Sequence, residues 1–203
     1  NKLVSTDVIS GCCSIYKADI LKKSEEMNLI DWNAMSISTV DINNKPSSRM
    51  VLLKKINDKG LVFYTNFKSK KGKDLAKNKH IAASFWWREL KEQIRIEGSV
   101  DMLSKEESDD YFNSRALQSR VAAIVSQQSE KLESYDVLQA EIDSKTKIFL
   151  DSGENPKRPE HCGLYLIKPE SIELWKEGDF RTHQREKFIK NEQNAWERYF
   201  LSP

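Results

Sequence analysis

The sequence predicts a single α+β domain built around an antiparallel β-barrel, with helices packed on its outside. Short runs rich in β-branched and aromatic residues, separated by turn residues, recur along the chain of 203 residues. Two helical segments interrupt these runs and strands return after them, so the helices are insertions in one sheet. A chain of this length buries roughly 70% of its unfolded surface on folding, which is enough for a real core.

The first half is predicted to contain five strands. Residues 1–32 form a helical extension, because residues 16–27 place Ile20 and Leu21 among lysines and glutamates in an amphipathic pattern. The domain proper, residues 33–203, opens with an antiparallel meander whose turns lie at residues 43–46 and 57–60. Ser69 can cap a helix that ends near residue 78. The strands predicted here cover residues 34–40, 49–54, 61–65, 81–87 and 93–103.

The second half contains the two helical insertions. Ser104 and Glu107 form a capping box, which predicts a helix to about residue 115. Another helix is predicted at residues 135–150, where Leu138, Ile142 and Phe149 lie near one face. A loop with two prolines follows at residues 153–159. The remaining predicted strands cover residues 164–167, 172–175, 181–188 and 196–201.

The composition argues against several classes of function. Lys and Arg number 33 against 31 Asp and Glu, and a net charge of +2 is too balanced for a surface that binds nucleic acid or anionic lipid. The sequence contains no apolar run of membrane-spanning length, so we expect a cytoplasmic protein. Cys12, Cys13 and Cys162 are interpreted as free thiols. They do not combine with the three histidines at a metal-ligand spacing, so we expect no metal site.

Basic and hydroxyl side chains gather at two places in the first half. Arg49 and Lys54 lie on opposite faces of one predicted strand, a spacing that two solvated charges would also give. Tyr64 and Thr65 end a strand just before the lysine-rich helix that follows Ser69. Free N–H groups and positive charge at a helix N-terminus suit a phosphate. The alternatives are a solvated basic face or a nucleic-acid patch, and the latter would need interleaved aromatic residues.

A second candidate anion site lies near the first insertion. Tyr111, Arg115 and Ser119 are spaced by four, so a phenol, a guanidinium and a hydroxyl could converge on a second phosphate. Arg115 could equally interact with the C-terminal end of its helix dipole.

The least ordinary feature is the basic segment after Trp175. Strand alternation predicts Arg181, His183 and Arg185 on one face, where cationic groups repel one another unless an anion or an electron-rich ring lies across them. His183 could act as an acid or base near neutral pH, or simply form a local hydrogen bond.

Taken together, these segments resemble the pyridoxamine 5′-phosphate oxidase family. The similarity runs in the same order from Asn33 towards the C-terminus, so it is more specific than any single motif. It rests on Asn33-Ala34-Met35, Ser48 to Lys54, Phe63 to Asn66, Gln93 to Gly98, Tyr111-Phe112 with Ser114-Arg115, Val125 to Ser129, Arg158-Pro159, Glu173 to Trp175, and Arg181 to Arg185.

The resemblance implies an FMN-binding split β-barrel, antiparallel and Greek-key-like, in a homodimer with FMN at the subunit interface. It also implies oxidation of pyridoxamine or pyridoxine 5′-phosphate by molecular oxygen to pyridoxal 5′-phosphate, with release of hydrogen peroxide. Arg181 and His183 would be the catalytic residues, holding the substrate over the flavin. The residues implied to hold FMN are Arg49, Met50, Val51, Leu52, Leu53, Lys54, Tyr64, Thr65, Lys70, Lys71, Gln93, Gln128, Ser129, Trp175 and Arg185. Those implied to hold the substrate are Lys54, Tyr111, Arg115, Ser119, Arg181, Thr182 and His183.

Five positions depart from the family pattern. Lys70 stands where many relatives have arginine, which keeps the charge but loses bidentate phosphate geometry. Cys162 and Leu164 replace Trp and Gly, Ala116 replaces a proline, and Phe200 replaces an arginine. The alternatives are therefore a related flavin oxidase of the phenazine-biosynthesis type and a non-catalytic flavin- or pyridoxal phosphate-binding protein. A nucleic-acid-binding module is disfavoured by the balanced charge.

Overall fold

The structure, a computed structural model, describes Glu26 and residues 29–203. The described strands are β1 (Ala34–Val40), β2 (Pro46–Asn57), β3 (Gly60–Asn66), β4 (His80–Trp87), β5 (Glu92–Met102), β6 (Cys162–Lys176), β7 (Gln184–Lys190) and β8 (Trp196–Phe200). The described helices are α1 (Lys70–Lys77), α2 (Lys105–Asn113), α3 (Leu117–Val125) and α4 (Tyr135–Ser152). The helix predicted at residues 16–27, together with Cys12 and Cys13, lies outside the described residues apart from Glu26.

Six strands close an antiparallel barrel. They run in the order β3-β2-β1-β4-β5-β6, and β6 pairs back onto β3. Residues 162–167 of β6 pair with β3, whereas residues 171–176 pair with β7. Strands β7 and β8 therefore extend the sheet beyond the closed barrel. The predicted α+β barrel is confirmed.

The prediction of two separate strands at residues 164–167 and 172–175 was wrong, because both segments belong to the single strand β6. Pro169, which has no N–H to donate to a ladder, lies between them. The register of the β5–β6 pair shifts between Glu97 and Gly98, opposite Pro169, and this bulge lets β6 continue past the proline. A Cβ at Gly98 would lie 2.1 Å from the carbonyl oxygen of Lys168, so the bulge requires glycine.

Helix α3 was not predicted from the sequence. Its N-cap residue, Ala116, makes no side-chain cap hydrogen bond, so the usual start signal is missing. By contrast, Ser69, Ser104 and Ser134 each accept a backbone N–H at the start of their helices, and all three of those helices were predicted. The strand predicted at residues 34–40 has the same bounds in the structure.

The hydrophobic core fills the barrel, and a smaller cluster lies outside it. Phe63 and Ile167 are fully buried inside, where each side chain contributes about 1.5–3 kcal/mol by leaving water. On the opposite face of the same two strands, Val62, Leu164 and Leu166 are buried beneath partly buried side chains that include Tyr64 and Tyr111. Helix α2 packs on this outer face of β6, which fixes Tyr111 beside the end of β3.

Candidate functional site

A pocket of about 710 Å³ opens on the outside of the barrel, between strands β2 and β3 and helices α2 and α3. Alternation along β2 leaves Met50, Leu52 and Lys54 exposed, whereas Leu53 points into the barrel core. The pocket is lined by Met50, Val51, Leu52, Lys54, Tyr64, Thr65, Asn66, Lys71, Tyr111, Arg115, Ala116, Ser119, Ala122, Ala123, Ser126, Gln128 and Cys162.

One end of the pocket is built around the N-terminus of α1. The ammonium group of Lys71, only 7% exposed, donates to Ser69 Oγ (3.1 Å) and to Gln128 Oε1 (3.0 Å). The backbone N–H of Lys70 donates to Ser129 Oγ at 3.3 Å, and Ser129 has a left-handed φ of 75°. The loop after α3 is thus held against the start of α1. We call Arg49, Lys70, Lys71, Gln128 and Ser129 the α1 cluster.

Arg49 is held beside this helix by hydroxyl groups. Its Nη1 donates to Thr39 Oγ1 at 2.8 Å and its Nη2 donates to Ser47 Oγ at 2.5 Å. Asp74, in the second turn of α1, is the buried carboxylate of the region, and Lys70 Nζ lies 3.2 Å from its Oδ1.

Positive charge in the α1 cluster is held at an energetic cost. Burial lowers the pKa of Lys71 to about 8, and the nearby charge of Arg49 lowers it as well. Burial also lowers the pKa of Arg49, although the charge of Asp74 acts in the opposite direction. A bound anion would relieve both effects, so the electrostatics favour a phosphate at this end of the pocket.

The other end of the pocket contains aromatic rings and cations in alternation. The rings of Tyr64 and Tyr111 lie 4.9 Å apart. The guanidinium of Arg115 lies 5.0 Å from the centre of the Tyr64 ring, and Lys54 Nζ lies 5.9 Å from the centre of the Tyr111 ring. We call Lys54, Tyr64, Tyr111 and Arg115 the tyrosine cluster, with Ser119 of α3 beside it in the pocket lining.

Several polar atoms in the pocket lack partners. Tyr64 Oη, Thr65 Oγ1 and Arg115 Nη1 are buried without a hydrogen-bond partner among the described residues. Each unpaired buried group costs about 1–3 kcal/mol, and folded proteins rarely keep several together unless a ligand pairs with them. Burial also raises the pKa of Tyr64, which keeps its hydroxyl a donor. These residues fit a phosphate-bearing ligand with further polar groups, as FMN is.

A second group of implied site residues lies apart from this pocket. Gln93 is the cross-strand partner of Trp175, and Trp175 is the partner of Arg185, so the three form a row across β5, β6 and β7. The Trp175 ring lies 5.9 Å from that of Trp86, which is 51% exposed, and 4.6 Å from that of His183. We call Gln93, Trp175 and Arg185 the β5–β7 row. None of its three residues lines the pocket of the α1 cluster.

The prediction that Arg181, His183 and Arg185 share one strand face was wrong. Strand β7 begins at Gln184, and Arg181 lies in a short 3-10 turn at residues 179–181. Both Phe180 and Arg181 have positive φ values, 50° and 67°, so the backbone reverses here instead of extending. Thr182 Oγ1 and the Thr182 N–H donate to the carbonyl of Asp179, which closes the turn.

His183 and Arg185 have separate local partners. Nδ1 of His183 accepts the backbone N–H of Gly178 at 3.3 Å. Arg185 Nε donates to Glu173 Oε1 at 2.8 Å, and its Nη1 donates to the carbonyl of Ser202 at 3.0 Å. Glu173 is 5% exposed and also accepts Arg95 Nη1, at 3.3 Å. These groups therefore do not form the single cationic face that the sequence suggested.

Sequence reasoning missed the residues that support the charged ones. Thr39, Asp74 and Glu173 lie in or beside predicted elements, but nothing in their spacing signals that they are buried against arginines. Within the described residues, no group of three His, Cys, Asp or Glu side chains could hold a metal ion. No helix in that part of the chain is long and apolar enough to cross a membrane.

Comparisons with known proteins cover nearly the whole described chain. Residues 23–147 match the family described as pyridoxamine 5′-phosphate oxidase, and residues 163–203 match the pyridoxine 5′-phosphate oxidase C-terminal dimerisation region. The chain is 44% identical over 171 residues to the pyridoxine/pyridoxamine 5′-phosphate oxidase of Thermosynechococcus vestitus, covering 84% of this chain and 79% of that protein. It is 41% identical over 171 residues to the protein of the same name from Janthinobacterium sp., covering 84% and 80%.

Solved structures have the same fold. PhzG from Burkholderia lata, in complex with tetrahydrophenazine-1-carboxylic acid, superposes with a TM-score of 0.87 at 25% identity, covering 94% of this chain and 92% of that one. A pyridoxamine 5′-phosphate oxidase-related, FMN-binding protein from Nostoc punctiforme superposes with a TM-score of 0.73 at 15% identity, covering 94% and 96%.

Proposed function

Because this chain belongs to the pyridoxamine 5′-phosphate oxidase family, we propose that it oxidises pyridoxamine or pyridoxine 5′-phosphate to pyridoxal 5′-phosphate, with FMN as cofactor and molecular oxygen as acceptor. The observation that carries this proposal is the pocket of about 710 Å³, whose lining includes Lys71 of the α1 cluster and both Lys54 and Arg115 of the tyrosine cluster. Two such clusters suit two phosphates, one on the flavin and one on the substrate.

We assign the flavin phosphate to the α1 cluster. It has the helix N-terminus, the buried ammonium of Lys71 and the guanidinium of Arg49, and the unpaired Thr65 hydroxyl lies in the same pocket. Lys70 adds a charge but is partly occupied by Asp74. When bound, FMN would supply the redox chemistry, accepting two electrons from the substrate and passing them to oxygen.

We assign the substrate phosphate to the tyrosine cluster and Ser119. Arg115 keeps an unpaired Nη1, Lys54 is exposed at the pocket wall, and the hydroxyl of Tyr64 is also unpaired. These donors would fix the phosphate and so orient the attached ring. Arg181, Thr182 and His183 would hold the ring from the opposite side. Because His183 Nδ1 accepts the Gly178 N–H, its neutral ring carries the proton on Nε2 and can donate from there.

The β5–β7 row, together with Arg181 and His183 before β7, would complete the site across a dimer interface. Trp175, Arg181, His183 and Arg185 all lie within residues 163–203, which match a dimerisation region. They do not line the pocket of their own chain. A two-fold dimer would bring this row from one protomer to the pocket of its partner, giving two equivalent sites.

The experiment that tests the function is an anaerobic absorbance spectrum of the FMN-loaded protein, recorded before and after adding pyridoxamine 5′-phosphate. We expect the flavin band to bleach as the substrate is oxidised to the aldehyde, and then to recover, with formation of hydrogen peroxide, when air is admitted. A flavin spectrum that never bleaches with either vitamer phosphate would contradict the proposed substrates.

The similarity to PhzG supports one alternative, a flavin oxidase of a larger, tricyclic ring. Small side chains of Ala116, Ala122, Ala123 and Cys162 line one wall of the pocket and leave room there. Bleaching by a reduced phenazine carboxylate, with none by pyridoxamine 5′-phosphate, would favour this alternative. Flavin binding without bleaching by either compound would indicate a non-catalytic binding protein.

A further inference from the structure

Asp74 is a buried carboxylate beside a site that should attract anions. It is 5% exposed, and a negative charge at this position repels a phosphate. Two hydroxyls donate to its Oδ2: Thr39 Oγ1 at 2.7 Å and Ser47 Oγ at 3.4 Å. The Lys70 ammonium lies against it at 3.2 Å. Asp74 therefore does not attract the phosphate itself.

The same two hydroxyls are the acceptors for Arg49. Thr39 Oγ1 accepts Arg49 Nη1 at 2.8 Å, and Ser47 Oγ accepts Arg49 Nη2 at 2.5 Å. A hydroxyl has one proton to donate, and the carboxylate, which can only accept, takes it from both groups. Their lone pairs are therefore left facing the guanidinium. Thr39 is fully buried, so water does not compete for this arrangement.

We propose that Asp74 is a positioning residue for the flavin phosphate, acting through Thr39 and Ser47 to fix both terminal nitrogens of Arg49. This inference rests on the proposed assignment of the FMN phosphate to the α1 cluster. Asp74 orders the hydroxyl protons, the hydroxyls hold the two Nη atoms, and the guanidinium plane is set before the phosphate arrives. Asp74 therefore orients Arg49, although its negative charge near the site opposes phosphate binding.

The substitution Asp74→Asn separates orientation from charge, because losing the orientation should weaken FMN binding whereas losing the negative charge should strengthen it. Removing a negative charge alone would strengthen binding of a phosphate. Both hydroxyls donate to Oδ2, whereas the Lys70 ammonium contacts both carboxylate oxygens. Asparagine keeps the size but has one acceptor oxygen, and the ammonium competes with the hydroxyls for it. When that oxygen faces Lys70, the NH₂ group faces the hydroxyls and can only donate to them, so their protons are no longer ordered. We expect FMN affinity to fall roughly tenfold or more, the range seen when outer partners of a metal ligand are removed.

The measurement is a titration of the flavin-free protein with FMN and, separately, with riboflavin, which lacks the phosphate. We expect Asp74→Asn to weaken FMN binding and leave riboflavin binding unchanged, since the pocket for the ring is intact. Thr39→Val should behave like Asp74→Asn, and Thr39→Ser should restore FMN affinity because it restores the hydroxyl.

Asp41→Asn is the matched control. Asp41 Oδ2 lies 4.0 Å from Lys70 Nζ, so this variant removes a nearby negative charge without touching Thr39 or Ser47. Its FMN affinity should be unchanged or slightly higher. If Asp74→Asn binds FMN as tightly as the parent protein or more tightly, the inference is wrong. An equal loss of FMN and riboflavin affinity would also overturn it, since that pattern reports a damaged fold. Failure of the parent protein to bind FMN would instead contradict the proposed function.

Discussion

The α1 cluster and the β5–β7 row each lie beside one buried carboxylate, Asp74 and Glu173 respectively, but their positive charges are balanced differently. In the α1 cluster, Lys71 has only the neutral Ser69 and Gln128 as hydrogen-bond partners among the described residues. In the β5–β7 row, Arg185 is paired with Glu173 and also donates to the Ser202 carbonyl. Among the described residues, Lys71 therefore has no carboxylate partner, whereas Arg185 has one.

This difference in charge balance fits the proposal that each region supplies one part of a shared site. The α1 cluster lies within a single chain, and its Lys71 is only 7% exposed, so electrostatic interactions of this ammonium are strengthened. The β5–β7 row is not enclosed, since Trp86, 51% exposed, lies beside its Trp175. A surface of this kind suits packing against another molecule, which under the proposed function is the partner's pocket.

The largest expected effect comes from separating the two regions onto different protomers. Arg181→Leu and Lys71→Met should each lower turnover of the homodimer. For Arg181→Leu we expect a loss of roughly 100-fold, because the substrate ring is misplaced. The two chains, each with one substitution and a different tag, are then co-expressed. We expect this mixture to recover about one quarter of parent activity. Half of the dimers are mixed, and each mixed dimer has one intact site out of two.

The control for this mixing experiment pairs two variants of the same region, Lys71→Met and Arg49→Met, which should not complement each other. No recovery in the first mixture would mean that Arg181 serves the pocket of its own chain.

Lys71→Met should produce the next largest effect. The ammonium group would make a charge-assisted hydrogen bond to the flavin phosphate, worth about 1.5–3 kcal/mol, so FMN affinity should fall by about 10- to 100-fold. Riboflavin affinity should stay the same in fluorescence titrations. Lys73→Met is the control, since Lys73 is exposed on the same helix and pairs with Glu130. Equal losses for the two variants would argue against a specific role of Lys71.

The pH dependence of FMN binding should reveal the same lysine. Because the pKa of Lys71 is lowered to about 8 from its ordinary value of 10.5, the flavin-free protein loses this proton as pH rises above 8. FMN affinity should then fall by up to about tenfold per pH unit, until the higher pKa of the bound state is reached. Lys71→Arg should remove this decline in titrations between about pH 7 and pH 10.

Stability of the flavin-free protein should follow the opposite trend. Between the lowered pKa of about 8 and the ordinary value of 10.5, the unfolded chain binds more protons at Lys71 than the folded chain does. This group therefore makes the free energy of unfolding rise with pH across that window. Urea denaturation of the parent protein and of Lys71→Arg would isolate the contribution, and an identical pH trend in both would contradict it.

The smallest expected effect is that of Glu173→Gln, which removes the carboxylate that pairs with Arg185 of the β5–β7 row. Glutamine keeps one acceptor oxygen but loses the charge shared by Arg95 and Arg185, so the free energy of unfolding should fall by roughly 1–2 kcal/mol. The ratio of FMN to riboflavin affinity should not change, in contrast to Asp74→Asn. Glu97→Gln is the control, since Glu97 is exposed and its ion pair with Lys187 is long, at 3.8 Å. A changed affinity ratio would mean that Glu173 also acts on the phosphate.

The strengths and failures of prediction from sequence have physical causes. Helices α1 and α2 were predicted because serine caps are local signals, and α4 was predicted from apolar residues near one face. Helix α3 was missed because Ala116 offers no cap. The strand at residues 34–40 was predicted correctly because alternation of buried and partly buried residues is clear there. The extended reading of Arg181 failed because its left-handed φ depends on the turn closed by Thr182 and Asp179, which strand periodicity does not encode.

The sequence by itself determined the barrel class, the residue types of both candidate phosphate sites and the order of the elements apart from α3 and the continuity of β6, because those depend on local caps, alternation and turn chemistry. Only the tertiary structure decided that Lys71 and Gln128 meet, that Arg49 reaches Asp74 through two hydroxyls, and that the β5–β7 row lies outside the pocket. These relations join residues far apart in the chain, such as Lys71 and Gln128. They depend on barrel closure through the β3–β6 pairing and on packing of the helices against it, which no local pattern specifies.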